Sequence, residues 1–586
     1  KGFELIKAIS SKAWSNSMTF KGIQRTYITY EQLEEIIGED KGNIIATSAC
    51  LGSYLNDRIF AYFQEGDASA KEDIHEYICW CIDTFGEENF FLELQPSSLM
   101  NTNQSQRQEF ANTKLVLLAN AYEINTVVAT DSHYLEEKHK AFHASFLKGN
   151  EDKGDSRETG DFYDSTYLMD VEEIERKLLN HLPQEEVEKA FTNTMKIYDM
   201  IEIYEIEKPI VVPRDKHIVE NFKVQHLFKD WYDKCSDIKQ FAYSEEINDR
   251  YFLYLVEQGF TKFNQPFDLE HISRINIEIH QLIAITAKLG EVMSKYYTLV
   301  RNLIHNVIWD ISLIPPGRGS VAGFYCAYLL EICQISAIDY GLPWWRHLHE
   351  SKVSLADIDI DTEKAKRRQI LEGMQEYYGI DNVLSCLTHT TVAAKSAILM
   401  AGRGLGYNKD EMQGLADLIP IDRGKVRSLK QCINGDEEKD FKPVTELVNK
   451  MKKYPELLET AGMFEGLVNG RSIHASAIYI FDDGFLRQNS LMISKNGVRT
   501  TAFTMEDSDA LSALKMDLLT VEAADKIRKC IELLCDYGYL EKQATFKETY
   551  YKYLHPSVIQ YTEPKMWKKL NEGKIYDAFQ LDTIDG

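Results

Sequence analysis

The chain lacks any cysteine pattern that would indicate a disulfide framework or a zinc ribbon. Its 10 cysteines are scattered, none of them stand as Cys-x-x-Cys, and the closest pair is Cys79 and Cys81. Such spacing is typical of reduced, mostly buried thiols.

Long apolar runs are also missing. No run approaches the roughly 20 consecutive residues that a helix needs to span a bilayer. No signal-peptide pattern, low-complexity segment or internal repeat is recognisable in the sequence. We therefore expect a soluble, cytoplasmic protein that does not interact with membranes.

A general excess of positive charge is absent too. The net charge is -25, which divides into -20 for residues 1–300 and -5 for residues 301–586. Phosphate contacts need local Lys and Arg rather than a basic whole. The second half carries basic clusters, although each one alone is more often a solvated helix face. These clusters are Lys364–Arg368, Arg423–Lys430, Lys450–Lys453 and Lys565–Lys569.

What the chain does contain is an alternation of carboxylates and isoleucines at Asp357, Asp359 and Asp361. Successive side chains of a strand point to opposite faces, so a strand here places the three carboxylates on one face. Like charges on one face repel each other, and one or two bound Mg²⁺ ions relieve that repulsion. A charged edge strand with no ligand is the simpler alternative.

A glycine-rich turn precedes this segment. Gly317, Arg318, Gly319 and Ser320 follow a strand-like run over residues 306–314 and precede a helix-like run over 321–332. Backbone N–H groups of such a turn can bind an anion at a helix N-terminus. A turn that only redirects the chain is the alternative. Together, metal-binding carboxylates and a phosphate-binding turn suggest nucleotidyl transfer with two metal ions.

Six segments occur in the order found in one family. The sequence resembles the catalytic core of the bacterial replicative DNA polymerase III alpha subunit, the C family. The matching segments cover most of residues 290–586. They are Pro316–Gly323, Ser354–Asp361, Thr391–Lys395, Arg471–Ala477, Lys515–Leu519 and Phe579–Asp582.

The resemblance implies roles for individual residues. Asp359, Asp361 and Asp517 match the catalytic carboxylates that bind two Mg²⁺ ions, and Asp357 has no assigned role. The residues that match triphosphate-binding positions are Arg318, Gly319, Ser320, Arg346 and Lys515. Those expected to contact DNA are Lys395, Arg403, Arg423, Lys425, Arg427 and His474.

Short apolar runs alternate with helical patterns in the first 215 residues, which predicts an α/β domain, most simply a barrel. After one predicted strand come Asp131 and His133. This segment resembles the last metal motif of the polymerase-and-histidinol-phosphatase (PHP) domain. Pro96 stands where many relatives have a metal-binding His, and the family's first His-x-His motif would precede Lys1. We therefore expect a structural PHP domain, with Zn²⁺ or Mn²⁺ at Asp131 and His133 as a less favoured alternative.

The fold class that follows is multidomain α/β. A PHP-type α/β barrel precedes a palm that resembles the nucleotidyltransferases of the polymerase beta type, with a helical thumb and partial helical fingers. Both ends look like cuts in a longer protein. The predicted boundaries are 1–215 for the PHP domain, 216–390 and 471–522 for the palm, 391–470 for the thumb and 523–586 for the start of the fingers.

The resemblance implies a template-directed DNA polymerase that acts in DNA replication. Its substrates would be primer-template DNA and deoxynucleoside triphosphates, with a sliding clamp and other replisome subunits as partners through regions outside this sequence. The Asn-, Ile- and Lys-rich composition suits a phage-encoded relative in a bacterial cell. Two alternatives stay open: a PHP-domain phosphoesterase or exonuclease with a degenerate palm, and a non-catalytic DNA-binding replication subunit.

Overall fold

The computed structural model resolves the chain into two compact units. The first comprises Lys1–Glu205, His389–Ser472 and Arg487–Gly497, and the second Ile206–Thr388, Ile473–Leu486 and Val498–Gly586. The structure describes residues 1–20, 23–100, 102–149, 161–207, 209, 211–215, 218, 221–422, 424–484, 489–508, 510–511 and 513–574.

A three-stranded parallel sheet forms the centre of the first unit. Its order is β3-β4-β5, with Ala46 opposite Phe90 and Leu92 opposite Thr126. The strands are β3 (Ala46–Thr47), β4 (Phe90–Leu94) and β5 (Asn125–Val128). The central strand β4 is almost entirely buried and largely apolar, which is typical of buried parallel strands. This sheet confirms the α/β class, whereas closure into a barrel stays a prediction.

Helices surround this sheet, and two short strands, β1 (Met18–Phe20) and β2 (Ile23–Arg25), pair with each other as a separate antiparallel ribbon. The helices are α1 (Gly2–Ser15), α2 (Tyr30–Ile37), α3 (Tyr54–Phe63), α4 (Ala70–Phe85), α5 (Asn103–Tyr122), α6 (Lys140–Gly149), α7 (Val171–Leu178) and α8 (Gln184–Met200).

The first unit also contains a helical group with its own apolar core. Phe146 of α6 packs edge-on against Phe464 there, with 5.3 Å between ring centroids. Strands β8 (Ile421–Asp422), β9 (Lys425–Val426) and β11 (Leu491–Ile493) are short. The helices of this group are α16 (Ala394–Gly404), α17 (Lys409–Ala416), α18 (Leu429–Asn434), α19 (Thr445–Met451) and α20 (Pro455–Phe464).

The sheet of the second unit has the strand order β12-β7-β10-β13-β6. Strands β13 and β6 are parallel, and β10 and β13 are antiparallel. The strands are β6 (Asp359–Glu363), β7 (Val383–Thr391), β10 (Val468–Ile480), β12 (Arg499–Thr501) and β13 (Leu514–Val521). This arrangement brings together segments that lie about 150 residues apart in sequence, as the predicted split of the carboxylates requires.

Helices pack against this sheet around a large apolar core that includes Tyr297, Phe324 and Ile360. The helices are α9 (Ser236–Ala242), α10 (Ile247–Lys262), α11 (Leu269–Leu289), α12 (Met293–Leu303), α13 (Trp309–Ile311), α14 (Tyr325–Leu329), α15 (Arg367–Tyr378), α21 (Glu522–Asp536), α22 (Phe546–Tyr553) and α23 (Pro564–Asn571). Among the described residues, none of these or the other helices is both long and apolar enough to cross a membrane.

Two of the local predictions around the glycine-rich turn were wrong. The run over 306–314 is not a strand, because a π-helical turn (Ile304–Ile308) and α13 continue the preceding helix. The run over 321–332 is not one helix but a 3₁₀ turn (Gly319–Gly323) followed by the single turn of α14. Short apolar runs are ambiguous in this way, since a buried helix and a buried strand can look alike in sequence.

Candidate functional site

A cluster of three carboxylates lies where β6 and β13 meet. The strands run parallel with Asp517 directly opposite Asp359. Asp357 stands two residues before β6 begins, and each of the three residues offers an oxygen within 4.8 Å of the others. We call Asp357, Asp359 and Asp517 the carboxylate cluster.

The membership of this cluster differs from the triad that the resemblance implied. Asp357, which had no assigned role, is included, whereas Asp361 is not. Asp361 Oδ1 instead accepts a hydrogen bond from Arg318 Nη1 at 3.3 Å, and its side chain is 7% exposed. Of the three predicted catalytic carboxylates, the structure therefore brings together Asp359 and Asp517.

Other polar groups surround the cluster. Lys515 Nζ lies 2.9 Å from Asp517 Oδ2, and Ser476 Oγ donates to Asp517 Oδ1 at 3.4 Å. Lys515 is two residues from Asp517 and on the same face of β13, and the pairing of Ala477 with Asp517 brings β10, which carries Ser476, alongside. The cluster thus has one lysine for three carboxylates, with Arg318 beside Asp361.

These surroundings shift the protonation equilibria. Burial, reinforced by the charges of Asp357 and Asp517, raises the pKa of Asp359 above its usual range. Burial also raises the pKa of Asp361, although Arg318 opposes the shift. For Lys515, burial lowers the pKa, but the hydrogen bond and charge of Asp517 outweigh burial and leave it raised. The electrostatics of the site therefore favour an added cation.

The donor set fits a hard divalent cation. Mg²⁺ prefers carboxylate oxygens at about 2.1 Å, so oxygens on opposite sides of one ion lie about 4 Å apart. Three oxygens within 4.8 Å satisfy that condition. Two of the carboxylates come from neighbouring strands, which fixes their separation more firmly than a loop would. Asp357, Asp359 and Asp517 are therefore the residues that would hold the ion.

Removing one charge from the cluster should stabilise the metal-free protein. Because the pKa of Asp359 is raised in the folded state, its ionisation costs stability as the pH rises through that pKa. We expect Asp359→Asn to raise the melting temperature by about 2–4 °C at pH 8 in EDTA. The gain should shrink as the pH falls through the raised pKa of Asp359, because the charge that the substitution removes is then lost in the wild type as well.

Scanning calorimetry across this pH range measures the effect. The matched control is Asp536→Asn, which removes an exposed carboxylate at the end of α21. An equal rise in both variants, or a gain that does not depend on pH, would contradict the prediction.

The glycine-rich turn lies directly against the cluster. Gly319 has a φ of +67°, and a Cβ atom added there would stand 3.3 Å from Asp359 Oδ2. Glycine tolerates this conformation, which side chains rarely adopt. Its lack of a side chain also lets the backbone come close to the carboxylate. The predicted anion-binding turn is thus beside the predicted metal ligands, even though the long helix expected to follow it is absent.

We expect Gly319→Ala to weaken Mn²⁺ binding and to lower stability by about 1–2 kcal/mol because of its positive φ. Gly290→Ala is the matched control, since Gly290 has a φ of +76° and nothing within 4 Å of an added Cβ. Both variants should lose stability in urea titrations, but only Gly319→Ala should lose Mn²⁺ affinity. Equal affinity in the two variants would contradict the role of the close approach.

Ser320 is held by a histidine that the sequence did not single out. Its hydroxyl lies 3.1 Å from His347 Nδ1, and Tyr297 OH lies 2.9 Å from His347 Nε2. Burial lowers the pKa of His347 to about 3, so the ring is neutral and carries a single N–H. The ring can therefore donate at one of these two contacts and accepts at the other.

A buried ion pair fixes the backbone that follows the turn. Arg274 Nε is 2.7 Å from Glu278 Oε1, and Arg274 Nη2 donates to the carbonyls of Gly323 (2.6 Å) and Leu342 (2.8 Å). Glu278 is fully buried, and its two carboxylate oxygens accept hydrogen bonds from the backbone N–H groups of Tyr325 and Cys326, each at 2.8 Å. Sequence reasoning missed this pair, although an i, i+4 Arg and Glu in an apolar helix is a usable signal.

The residues expected to contact DNA lie in different surroundings, and Arg423 lies outside the described residues. Lys395 is half-buried and Lys425 exposed. Arg403 donates to the carbonyl of Gly149 at 2.8 Å. Arg427 forms a two-point ion pair with Asp422, at 2.9 and 3.1 Å, and stacks on Phe441. Its charge is therefore partly neutralised within the protein.

Two further predicted residues belong to the second unit. His474 is half-buried, and its Nδ1 accepts the amides of Ser476 (3.2 Å) and Ala477 (3.1 Å). Arg367, which was part of a predicted basic cluster, donates to the carbonyl of His474 at 2.9 Å. These contacts give His474 a local structural function. Arg346 is exposed.

Asp131 and His133 follow β5, as predicted. Asp131 has a φ of +48°, and His133 Nδ1 contacts the carbonyl of Asp131 at 2.7 Å. A small polar pocket lies beside them, lined among others by Gln95, Ser97 and Thr166. Within the described part of the chain, Asp131 and His133 do not belong to a group of three side chains that could hold a metal ion. The carboxylate cluster of the second unit is such a group.

Comparisons with known proteins agree with the motif analysis. Residues 246–520 match the family described as bacterial DNA polymerase III alpha NTPase domain. The chain is 41% identical over 604 residues to the probable DNA polymerase YorL of Bacillus subtilis (strain 168) and to a DNA-directed DNA polymerase of Bacillus phage SPbeta. These alignments cover 100% of this chain and 45% of each relative.

A more distant relative is the DNA polymerase III subunit alpha of Aquifex aeolicus (strain VF5). The two are 26% identical over 610 residues, which covers 100% of this chain and 47% of that protein. The chain thus spans about half the length of the curated relatives that it matches.

Proposed function

Since residues 246–520 belong to the bacterial DNA polymerase III alpha NTPase domain family, we propose that the second unit contains the palm of a template-directed DNA polymerase. The reaction would join a deoxynucleotide to a primer 3′-hydroxyl and release pyrophosphate. The observation that supports this most directly is the carboxylate cluster on the adjacent strands β6 and β13, beside the glycine-rich turn.

The proposed role of each carboxylate follows from its position on the strands. Asp359 and Asp517 face each other across two strands and would hold the metal ions between primer and nucleotide. Asp361 would join them as the third ligand that the family motif implies. When bound, Mg²⁺ lowers the pKa of the primer hydroxyl and neutralises the charge of the triphosphate. Rigid strands keep the reacting groups aligned, which is the main protein contribution to phosphoryl transfer.

Basic and polar residues around the cluster would bind the triphosphate. Arg318 and Lys515 supply positive charge, and Arg346 is exposed on the segment before β6. Ser320, whose hydroxyl lies 3.1 Å from His347 Nδ1, would offer that hydroxyl to the phosphates. Gly319 would let the backbone amides approach the phosphates without a side chain between them.

The remaining assignments extend this proposal to the whole chain. Residues 1–215 would form a PHP domain, 391–470 a thumb and 523–586 the start of the fingers. Lys395, Arg403, Lys425 and Arg427 would lie on the DNA side of the thumb and contact phosphates. A sliding clamp and replisome subunits are proposed as partners of the longer protein. A phage-encoded polymerase would fit the relative in Bacillus phage SPbeta.

Primer extension on the full-length protein tests the proposal. With Mg²⁺ and all four deoxynucleoside triphosphates, the protein should extend a primer against its template and release pyrophosphate. Omitting one nucleotide should stop extension at the corresponding template base. Cleavage of a phosphodiester with Mn²⁺ but no extension would instead indicate the PHP phosphoesterase. DNA binding without turnover would indicate a non-catalytic subunit.

A further inference from the structure

The four carboxylates near the turn are arranged unevenly. Asp357, Asp359 and Asp517 share one cluster, whereas Asp361 pairs with Arg318 at 3.3 Å. Asp361 lies two residues beyond Asp359 on the same strand, so both side chains emerge on the same face. What distinguishes Asp361 from the cluster residues is therefore its contact with Arg318, not the direction of its side chain.

We propose that Arg318 couples nucleotide binding to metal binding: it holds Asp361 until a nucleoside triphosphate takes the guanidinium, and Asp361 then becomes a metal ligand. In the nucleotide-free protein the first metal ion would be held by Asp357, Asp359 and Asp517. This inference rests on the proposed function, and it assigns Asp357 a role as a metal ligand and Arg318 a role as a positioning residue.

Charge balance explains why the pair holds without a nucleotide. Asp361 is 7% exposed, and a buried carboxylate that loses its partner is costly. A metal ion at Asp361 would displace the guanidinium of Arg318. The released guanidinium would then face the cation across a short distance, where like charges repel. Without an anion to receive Arg318, recruitment of Asp361 is therefore unfavourable.

A triphosphate removes this obstacle. The Arg318 side chain is 34% exposed, so a ligand can reach it, and a guanidinium binds phosphate oxygens with two parallel hydrogen bonds. Arg318 precedes Gly319, whose backbone lies against Asp359. A triphosphate on this turn would thus meet Arg318 and the cluster at once. The ligand class that fits is a nucleoside triphosphate that brings its own divalent cation.

The first half of the proposal concerns the nucleotide-free protein. It is tested by titrating the full-length protein with Mn²⁺ alone and measuring the free ion by its electron paramagnetic resonance signal. Asp357→Asn should weaken nucleotide-free Mn²⁺ binding about tenfold. Asp361→Asn should change it less than about twofold, because Asp361 is held by Arg318. Arg318→Gln should strengthen Mn²⁺ binding about fivefold, and Asp361→Asn in that background should remove the gain.

Equilibrium dialysis with Mn²⁺ and deoxyadenosine triphosphate, without DNA, tests the second half. Asp361→Asn should now weaken binding of the Mn²⁺ nucleotide complex about tenfold. The charge control belongs to the nucleotide-free titration: Lys515→Gln should strengthen Mn²⁺ binding there, because it removes a cation beside Asp517 without touching Asp361. That gain should persist after Asp361→Asn. Arg368→Gln, at a side chain 89% exposed on α15, controls for handling and folding.

The outcomes separate this inference from the function on which it rests. The coupling is overturned if Arg318→Gln leaves the Mn²⁺ affinity unchanged, or if its gain survives Asp361→Asn. In that case a loss of Mn²⁺ affinity in Asp359→Asn still supports the palm. Wild-type Mn²⁺ affinity in Asp359→Asn overturns the proposed function and the coupling together.

Discussion

Asp359→Asn is expected to lower the rate of primer extension in Mg²⁺ by about 10³-fold. Asp359 occupies the register position opposite Asp517, and each contributes an oxygen to the carboxylate cluster. Asparagine keeps the size of the side chain but removes the charge that a divalent cation requires. Single-turnover extension of a labelled primer measures the rate, and the affinity for primer-template DNA should change less than about threefold.

The matched control for this loss is Asp536→Asn, which changes the same functional group at an exposed position of α21. It should extend primers at the wild-type rate. Extension by Asp359→Asn at more than about a tenth of the wild-type rate would show that the cluster does not hold the catalytic ions. Equal loss of DNA affinity and rate would point to a folding defect instead.

Arg274→Ala is expected to lower the free energy of unfolding by about 3–5 kcal/mol. The substitution leaves Glu278 fully buried and without its counter-charge, and it frees the carbonyls of Gly323 and Leu342. Burial already raises the pKa of Glu278, with Arg274 opposing that shift. Urea titration measures the loss. Hydrogen exchange should also accelerate at the backbone N–H groups of Tyr325 and Cys326, which donate to Glu278.

Another pair in the same chain provides a close comparison. Arg368 and Glu372 on α15 have the same i, i+4 spacing and a similar distance, 2.8 Å against 2.7 Å. Because both side chains are largely exposed, Arg368→Ala should cost less than about 0.5 kcal/mol. If Arg274→Ala and Arg368→Ala lowered the free energy of unfolding by similar amounts, burial would not explain the strength of the Arg274–Glu278 pair.

The predictions that succeeded concern patterns that are local in sequence. Phe90–Leu94 is a strand because five largely apolar residues lie between a glycine-containing turn and a polar loop. The helices α7 and α8 follow from apolar residues at helical spacing between polar faces. The family motifs identified Asp359 and Asp517 as partners although about 150 residues separate them.

The predictions that failed concern choices between two locally acceptable structures. The largely apolar run over 306–311 could be buried either as a strand or as a helix. Packing against neighbouring helices makes it helical. The motif at residues 357–361 offers three equivalent carboxylates, and their separate fates depend on residues remote in sequence. Asp361 meets Arg318, while Asp357 meets Asp359 and Asp517.

By itself, the sequence determined the alternation of strands and helices, the similarity to one polymerase family and the residue types available for catalysis. These properties depend on side-chain chemistry and on spacing along the chain. Only the tertiary structure decided which carboxylates share a cluster, that His347 holds Ser320 and that Glu278 and Arg274 support the turn. Each of those contacts depends on strand register and burial, which the packing of distant segments sets.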